Sequence, residues 1–155
     1  MDQQERLAST AYYDEAIKAG DWMTASQLTR QHIPLHDQMG VTIVDKEGDG
    51  IIMTMELSES VRGLLDGSIH GGILAAFADV ASAFSLGGSF GETEIPVTTD
   101  MHVRYYRQPR SGPLKAEATV VHRGRRLLGT ECSVTDAEQR VLIRSTATYM
   151  LVPRG

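Results

Sequence analysis

In the stretch SIHGGILAAFADVASAF, residues 68–84, chemistry could be carried by His70, the glycine pair Gly71 and Gly72, and Asp79. A glycine pair at the entry of a helix leaves backbone N–H groups without intrahelical acceptors, at the positive end of the helix dipole. With no side chain in the way, a carbonyl or an anion can come close, so these groups can hold a developing oxyanion. Asp79 sits among apolar and small residues, where an unpaired carboxylate costs roughly several kcal/mol or gives up its charge. Combined with an oxyanion donor, such a carboxylate activates water or attacks directly, which is the apparatus of acyl transfer. Each feature also has a purely structural use. Glycines permit close packing, and a serine or backbone partner can satisfy a buried carboxylate.

Helical geometry constrains how these residues could cooperate. At 100° per residue, Asp79 lies on the side of the helix opposite His70, and roughly 12 Å beyond Gly71 along the axis. Attack on a carbonyl needs reacting atoms about 3 Å apart. Gly71 and Asp79 of one chain therefore cannot easily serve the same carbonyl. Two such helices packed antiparallel across a two-fold axis could, which predicts a homodimer with two shared sites.

These residues need a scaffold, and the pattern around them supplies one. The helix is predicted from about Ile69 to Leu86 and ends at Gly87 and Gly88. It shows no polar face, so it should be wrapped on nearly all sides. Before it, VTIVDKEGDGIIMTMEL reads as a hairpin around Glu47-Gly48-Asp49-Gly50. After it come four strand-like runs, Val97 to Arg107, Leu114 to Arg123, Leu127 to Thr135 and Val141 to Met150, separated by turn signals. Two strands, one helix and four strands predict an α+β fold, with an antiparallel sheet of about six strands covering one long helix. Residues 1–32 read as an N-terminal helical arm. It has start signals at Ser9 or Thr10 and at Asp21, a break at Ala19-Gly20, and a stop at Pro34. The main domain spans 33–150. Residues 151–155, LVPRG, resemble a protease-cleavage tag and are set apart as a C-terminal tail.

Composition narrows the classes further. A chain of 155 residues suits one domain with a real core. A net charge of −5 argues against a broad grip on nucleic acid or on an anionic membrane. The apolar run from Ile73 to Leu86 falls short of the roughly 20 residues a membrane span needs. Cys132 is the only cysteine, which excludes an intrachain disulfide and a cysteine-rich zinc site. The start, MDQQERLAST, lacks the layout of a secretion signal, so a cytoplasmic protein is expected.

Other constellations fail on context. GGSFG, Gly87 to Gly91, matches a nucleophile-elbow pattern, but that motif needs a strand before Ser89 and a helix after it. His32 and His36 have the spacing of paired metal ligands, yet Pro34 lies between them. His70, His102 and His122 are scattered, so no metal and no cofactor is expected.

IHGGILAAFADVASAFSL, followed by PVTTDMHVRYYRQPRSGPLKAEATVVHRGRRLLGTECSVTD, resembles the hotdog-fold acyl-CoA thioesterases of the PaaI-like (phenylacetate-degradation) type, over about residues 33–150. The resemblance implies a sheet wrapped around the long helix, dimers that share a continuous sheet, and pairing of dimers into tetramers. It implies that the Gly71 N–H polarises a thioester carbonyl, with Gly72 beside it and His70 shaping the turn. Asp79 of the partner subunit would be general base or nucleophile, and Thr98 would position water. Arg107, Arg110, Arg123 and Arg125 are candidates for the CoA phosphates, each with the alternative of a solvated surface charge. The substrate would be a small or medium acyl-CoA, aromatic ones included, and CoA would enter as part of it. Ala75, Ala78, Ala81 and Ser82 offer a small-residue wall for the acyl group. One position departs from the pattern: many relatives carry Asn or Gln six residues before the histidine, where this chain has Leu64. That leaves a non-catalytic acyl-CoA-binding protein as the main alternative, and a hotdog dehydratase as a third class.

Overall fold

The computed structural model describes residues 12–65, 67–87, 89, 91 and 93–154. Residues 12–19 are helical (α1), and Gly20, at φ +69°, breaks the chain before a second helix, α2 (Trp22–His32). Asp21 caps α2 by accepting the Thr24 N–H at 3.0 Å. The start signal at Ser9 or Thr10 lies outside the described residues. Pro34 does not simply stop the arm. It occupies the first turn of a short third helix, α3 (Pro34–Met39), where its missing N–H has no cost.

Two strands follow, β1 (Thr42–Glu47) and β2 (Gly50–Met55), joined by Gly48 and Asp49. A 3-10 turn (Glu59–Val61) leads to the long helix α4 (Gly71–Ser85). Four strands complete the chain: β3 (Glu94–Tyr105), β4 (Leu114–Arg123), β5 (Leu127–Thr135) and β6 (Val141–Pro153). They form one antiparallel sheet in the order β1-β2-β4-β5-β6-β3. The sheet wraps α4, as expected of a hotdog fold.

Period-two alternation sets the sheet's inner face. Met53 and Met55 of β2, Leu114 and Ala116 of β4, and Cys132 and Val134 of β5 point inward with the α4 residues Leu74, Phe77, Ala78 and Ala81. Burial of a side chain the size of Phe77 stabilises the fold by about 2 kcal/mol.

Three expectations need correction. Residues 151–153 are no appendage: β6 runs on through Leu151, which is buried and whose N–H bonds the Arg126 carbonyl at 2.8 Å. The sheet does not wrap α4 all round. It covers Leu74, Phe77, Ala78, Val80, Ala81, Ser82 and Ser85, and leaves a stripe of Gly72, Ala75, Ala76, Asp79 and Ala83 partly open. Ala78, Ala81 and Ser82 consequently belong to the chain's own core, and of the four small residues assigned to an acyl wall only Ala75 borders the open stripe.

The two edges of the sheet differ. Along β1, Ser26 of α2 accepts the Ile43 N–H at 2.7 Å, and Arg30 reaches the Val41 carbonyl and the Thr42 hydroxyl. The arm thus occupies polar groups that an edge strand otherwise exposes. The arm also meets α4, where Tyr13 and His36 pack their rings on Phe84 at centroid distances of 5.3 and 5.8 Å. At the opposite edge, β3 is hydrogen-bonded to β6 on one side only.

Candidate active site

Three contacts hold the two ends of the loop before α4 together and to the segment that follows β3. Arg62 and Ile69 form an isolated antiparallel bridge, the His70 N–H bonds the Val61 carbonyl, and the Ile69 N–H bonds Gln108 Oε1 at 3.0 Å. This places His70 at the N-cap, where its Nδ1 accepts the Gly72 N–H at 3.0 Å. An imidazole nitrogen that accepts carries no proton, so the ring's hydrogen is on Nε2. A Cβ at residue 72 would stand 3.0 Å from Nδ1 and 3.1 Å from Cε1, so a side chain there would press the ring away from the backbone by a few tenths of an ångström.

The cap makes the two glycines unequal. Gly72 spends its N–H on His70, whereas the Gly71 N–H has no acceptor among the described residues. The Gly71 carbonyl accepts the Tyr105 hydroxyl at 2.9 Å, which fixes the peptide plane beyond it. One donor at the positive end of α4 is left free to meet an oxyanion.

Asp79 is half-buried on the open stripe, and its surroundings come from two strands. Its Oδ1 accepts the Thr98 hydroxyl at 3.0 Å and the Tyr149 hydroxyl at 2.8 Å; the Tyr149 hydroxyl also lies 3.1 Å from the Asp79 backbone carbonyl. Thr98 and Tyr149 sit opposite one another across the β3–β6 ladder. A bulge at Thr99 makes this possible. Met101 and Val103 pack on the core, and Thr98 differs from them in parity, so a regular strand would turn it to the other face. Burial pushes the Tyr149 phenol well above its ordinary pKa, with the charge of Asp79 and the hydrogen bond to it adding to the effect. The neighbouring Thr98 and Ser82 hydroxyls pull the other way without reversing it. Tyr149 is consequently a permanent donor.

The remaining candidates fall at two ends of the molecule. Leu64 projects fully into solvent. Arg107 and Arg110 lie beyond Tyr105, at the end of the sheet that holds the α4 N-terminus. Both are exposed, and Arg110 pairs with Glu138 at 3.8 Å. Arg123 and Arg125 flank the β4–β5 turn, at the end that holds Tyr149 and hence Asp79. Arg123 is engaged by Asp49 and Ser89, while Arg125 is exposed. The Ser89 hydroxyl of GGSFG is therefore an acceptor for arginine and follows a helix, unlike an elbow nucleophile. Among the described residues no cluster of three or more metal-binding side chains occurs.

One chain thus brings together His70, Gly71 and Gly72 at one place and Asp79 with Thr98 at another, eight residues apart along the same helix. Sequence reasoning missed Tyr149, Tyr105 and Gln108. A signal for Tyr149 existed: β6 alternates from Ile143 through Leu151, and Tyr149 is the one aromatic with a hydroxyl on its buried face.

Residues 66–143 match a family model described as the thioesterase superfamily. A 1,4-dihydroxy-2-naphthoyl-CoA hydrolase of Listeria monocytogenes is 25% identical over 114 residues, covering 74% of this chain and 92% of that protein. Among solved structures, a thioesterase from Haemophilus influenzae superposes with a TM-score of 0.77 at 22% identity, covering 85% of this chain and 90% of the other. A thioesterase-family protein from Silicibacter pomeroyi gives 0.76 at 18% identity, with 86% and 99% coverage. At these identities the structural likenesses speak for the fold.

Proposed function

Because the chain belongs to the thioesterase superfamily, we propose that it hydrolyses the thioester of an acyl-CoA at a site shared between two protomers. The observation that carries this reading is the pair of half-sites on α4: a free Gly71 N–H at one end, and a hydrogen-bonded Asp79 on an uncovered face toward the other. Two chains joined through β3, the edge without a covering arm, would set their α4 helices against each other and unite Gly71 of one with Asp79 of the next.

In the general-base form, Asp79 takes a proton from water while the water oxygen bonds to the thioester carbon. The carbonyl oxygen becomes an oxyanion held by the Gly71 N–H. Collapse breaks the C–S bond, and the thiolate leaves and takes up the proton. In the nucleophilic form, Asp79 attacks first and water then cleaves the resulting anhydride. No further group is required for either route.

The same pairing would gather Arg107 and Arg110 of one protomer with Arg125 of the other near one site, which suits the phosphates of CoA. The name of the Listeria relative supports an aromatic acyl-CoA as the first substrate to try. The exposed Leu64, standing where many relatives have an amide, favours one second reading, an acyl-CoA-binding protein without turnover.

A thiol-release assay over short, medium and aromatic acyl-CoAs tests the reading, with Asp79→Asn as control. Hydrolysis by the native protein, lost in the variant while the fold persists, is the expected result. Binding without thiol release would establish the second reading, and full activity of Asp79→Asn would remove Asp79 from the mechanism. Pantetheine thioesters serve as a further arm: equal kcat/KM with and without the CoA phosphates would dismiss the arginines.

A further inference from the structure

The contacts of Asp79 distinguish its two oxygens. Oδ1 takes both donors within reach, the Thr98 and Tyr149 hydroxyls, whereas Oδ2 has no partner among the described residues. We propose that Tyr149 is a positioning residue that, with Thr98, locks Oδ1 and leaves Oδ2 as the oxygen that reacts. This rests on the thioesterase reading above and goes beyond it by naming the atom and the side chain that selects it.

Three observations support the assignment. Tyr149 is 1% exposed, so its ring cannot swing away, and its hydroxyl touches both the carboxylate and the carbonyl of Asp79. The single phenol proton is shared between these two acceptors, with the shorter contact to Oδ1, and this ties the side chain to its own helical turn. Second, Thr98 reaches the same oxygen only because the bulge at Thr99 reverses strand parity, while Thr99 itself stays tied to β6 through its hydroxyl on the Thr148 carbonyl at 3.1 Å. Third, hydroxyl chemistry fixes the direction of every bond. A threonine has one proton to give, and Thr98 gives it to Oδ1. Toward a water molecule Thr98 can then only accept.

A water at the site would donate one hydrogen to Thr98 Oγ1 and the other to Oδ2. That leaves a lone pair for the thioester carbon. During attack the proton held by Oδ2 transfers to it as the C–O bond forms, and Oδ1 keeps both of its hydrogen bonds. If Asp79 attacks directly, Oδ2 is again the oxygen that bonds to the carbonyl carbon. In either case a carboxylate free to rotate would spend part of the time with neither oxygen aligned on the water or the carbonyl carbon.

The test is Tyr149→Phe, which deletes one oxygen and keeps the ring. Its kcat should fall by about 10- to 100-fold, the range expected for losing a hydrogen bond to a charged group. KM should stay within about twofold, since Tyr149 does not touch substrate. Thr98→Val, which removes the other donor to Oδ1, should lower kcat in the same way, and it serves as the second variant should Tyr149→Phe fold poorly. A native kcat in Tyr149→Phe would overturn the proposal while leaving an Asp79-dependent thioesterase intact. A fall in kcat matched by an equal rise in KM would overturn it as well, by showing a merely structural role. If Asp79→Asn itself hydrolyses normally, the underlying reading falls, and this proposal with it.

Discussion

His70 and Gly72 are joined across two residues by a 3.0 Å hydrogen bond from the Gly72 N–H to His70 Nδ1. The bond closes the first turn of α4 and removes one of two otherwise equivalent glycine donors. Replacing His70 with Ala should cost about 1 kcal/mol of stability, the usual price of a lost N-cap. It should also release the Gly72 N–H and blur the distinction between the two glycines. His70→Asn, which can accept the same hydrogen, should recover most of the stability in a thermal melt. A His70→Ala protein as stable as the native one would show that the cap contributes nothing.

The sharing of a site can be read from mixed dimers. Gly71 occupies the first helical position, and His70 before it has φ −64° and ψ 127°, which a following proline accepts. Gly71→Pro therefore deletes the proposed oxyanion donor without breaking the helix, and activity should drop by about 10²- to 10³-fold. Asp79→Asn should be similarly poor. Mixed after co-refolding, the two inactive chains form heterodimers in which one site has both Gly71 and Asp79. Activity should reappear in the mixture, and its absence would place each site within a single chain.

Acid should loosen the arm before it unfolds the body. Burial lowers the pKa of His36 to about 4, from an unfolded value near 6.5, while Nδ1 shares a hydrogen bond with Thr29 Oγ1 at 2.6 Å. The folded state holds the neutral ring, so the unfolded chain binds the extra proton first. The stability linked to His36 is complete above about pH 6.5 and is lost as pH falls toward 4. Trp22, the single tryptophan, lies in α2 and reports on the arm. Its fluorescence melt should shift downward between pH 7 and pH 4.5, and His36→Gln should flatten that dependence. An unchanged slope in the variant would assign the acid sensitivity to other groups.

The order and type of elements were available in the sequence because they rest on local patterns. Both limits of β4 and of β5 followed from alternation and turn residues, and the glycine-aspartate spacing on α4 followed from helix geometry alone. What escaped notice depends on residues far apart in the chain. Tyr149 reaches Asp79 across 70 positions, and Thr98 faces it only through a bulge that no period-two pattern announces. Pro34 does end α2, and the short helix it then opens gives no periodic signal of its own. Leu151 was set aside by its likeness to a tag, although alternation from Ile143 already assigned it to the buried face. The open stripe on α4 was invisible for a different reason. A helix apolar on every side gives no sign of which side its own chain will cover.

The unequal edges of the sheet carry a consequence for growth. A strand edge invites addition of another strand, and a sheet with two such edges can extend without limit, as fibrils do. Here α2 takes up the Ile43 N–H of β1 and the Val41 carbonyl just before it, so that edge is partly covered within each chain. Among the described residues no arm covers β3, and two copies joined there would form a sheet that ends on both sides in a helical arm. The arm thus blunts β1 as a template for a further strand, a task far from the chemistry.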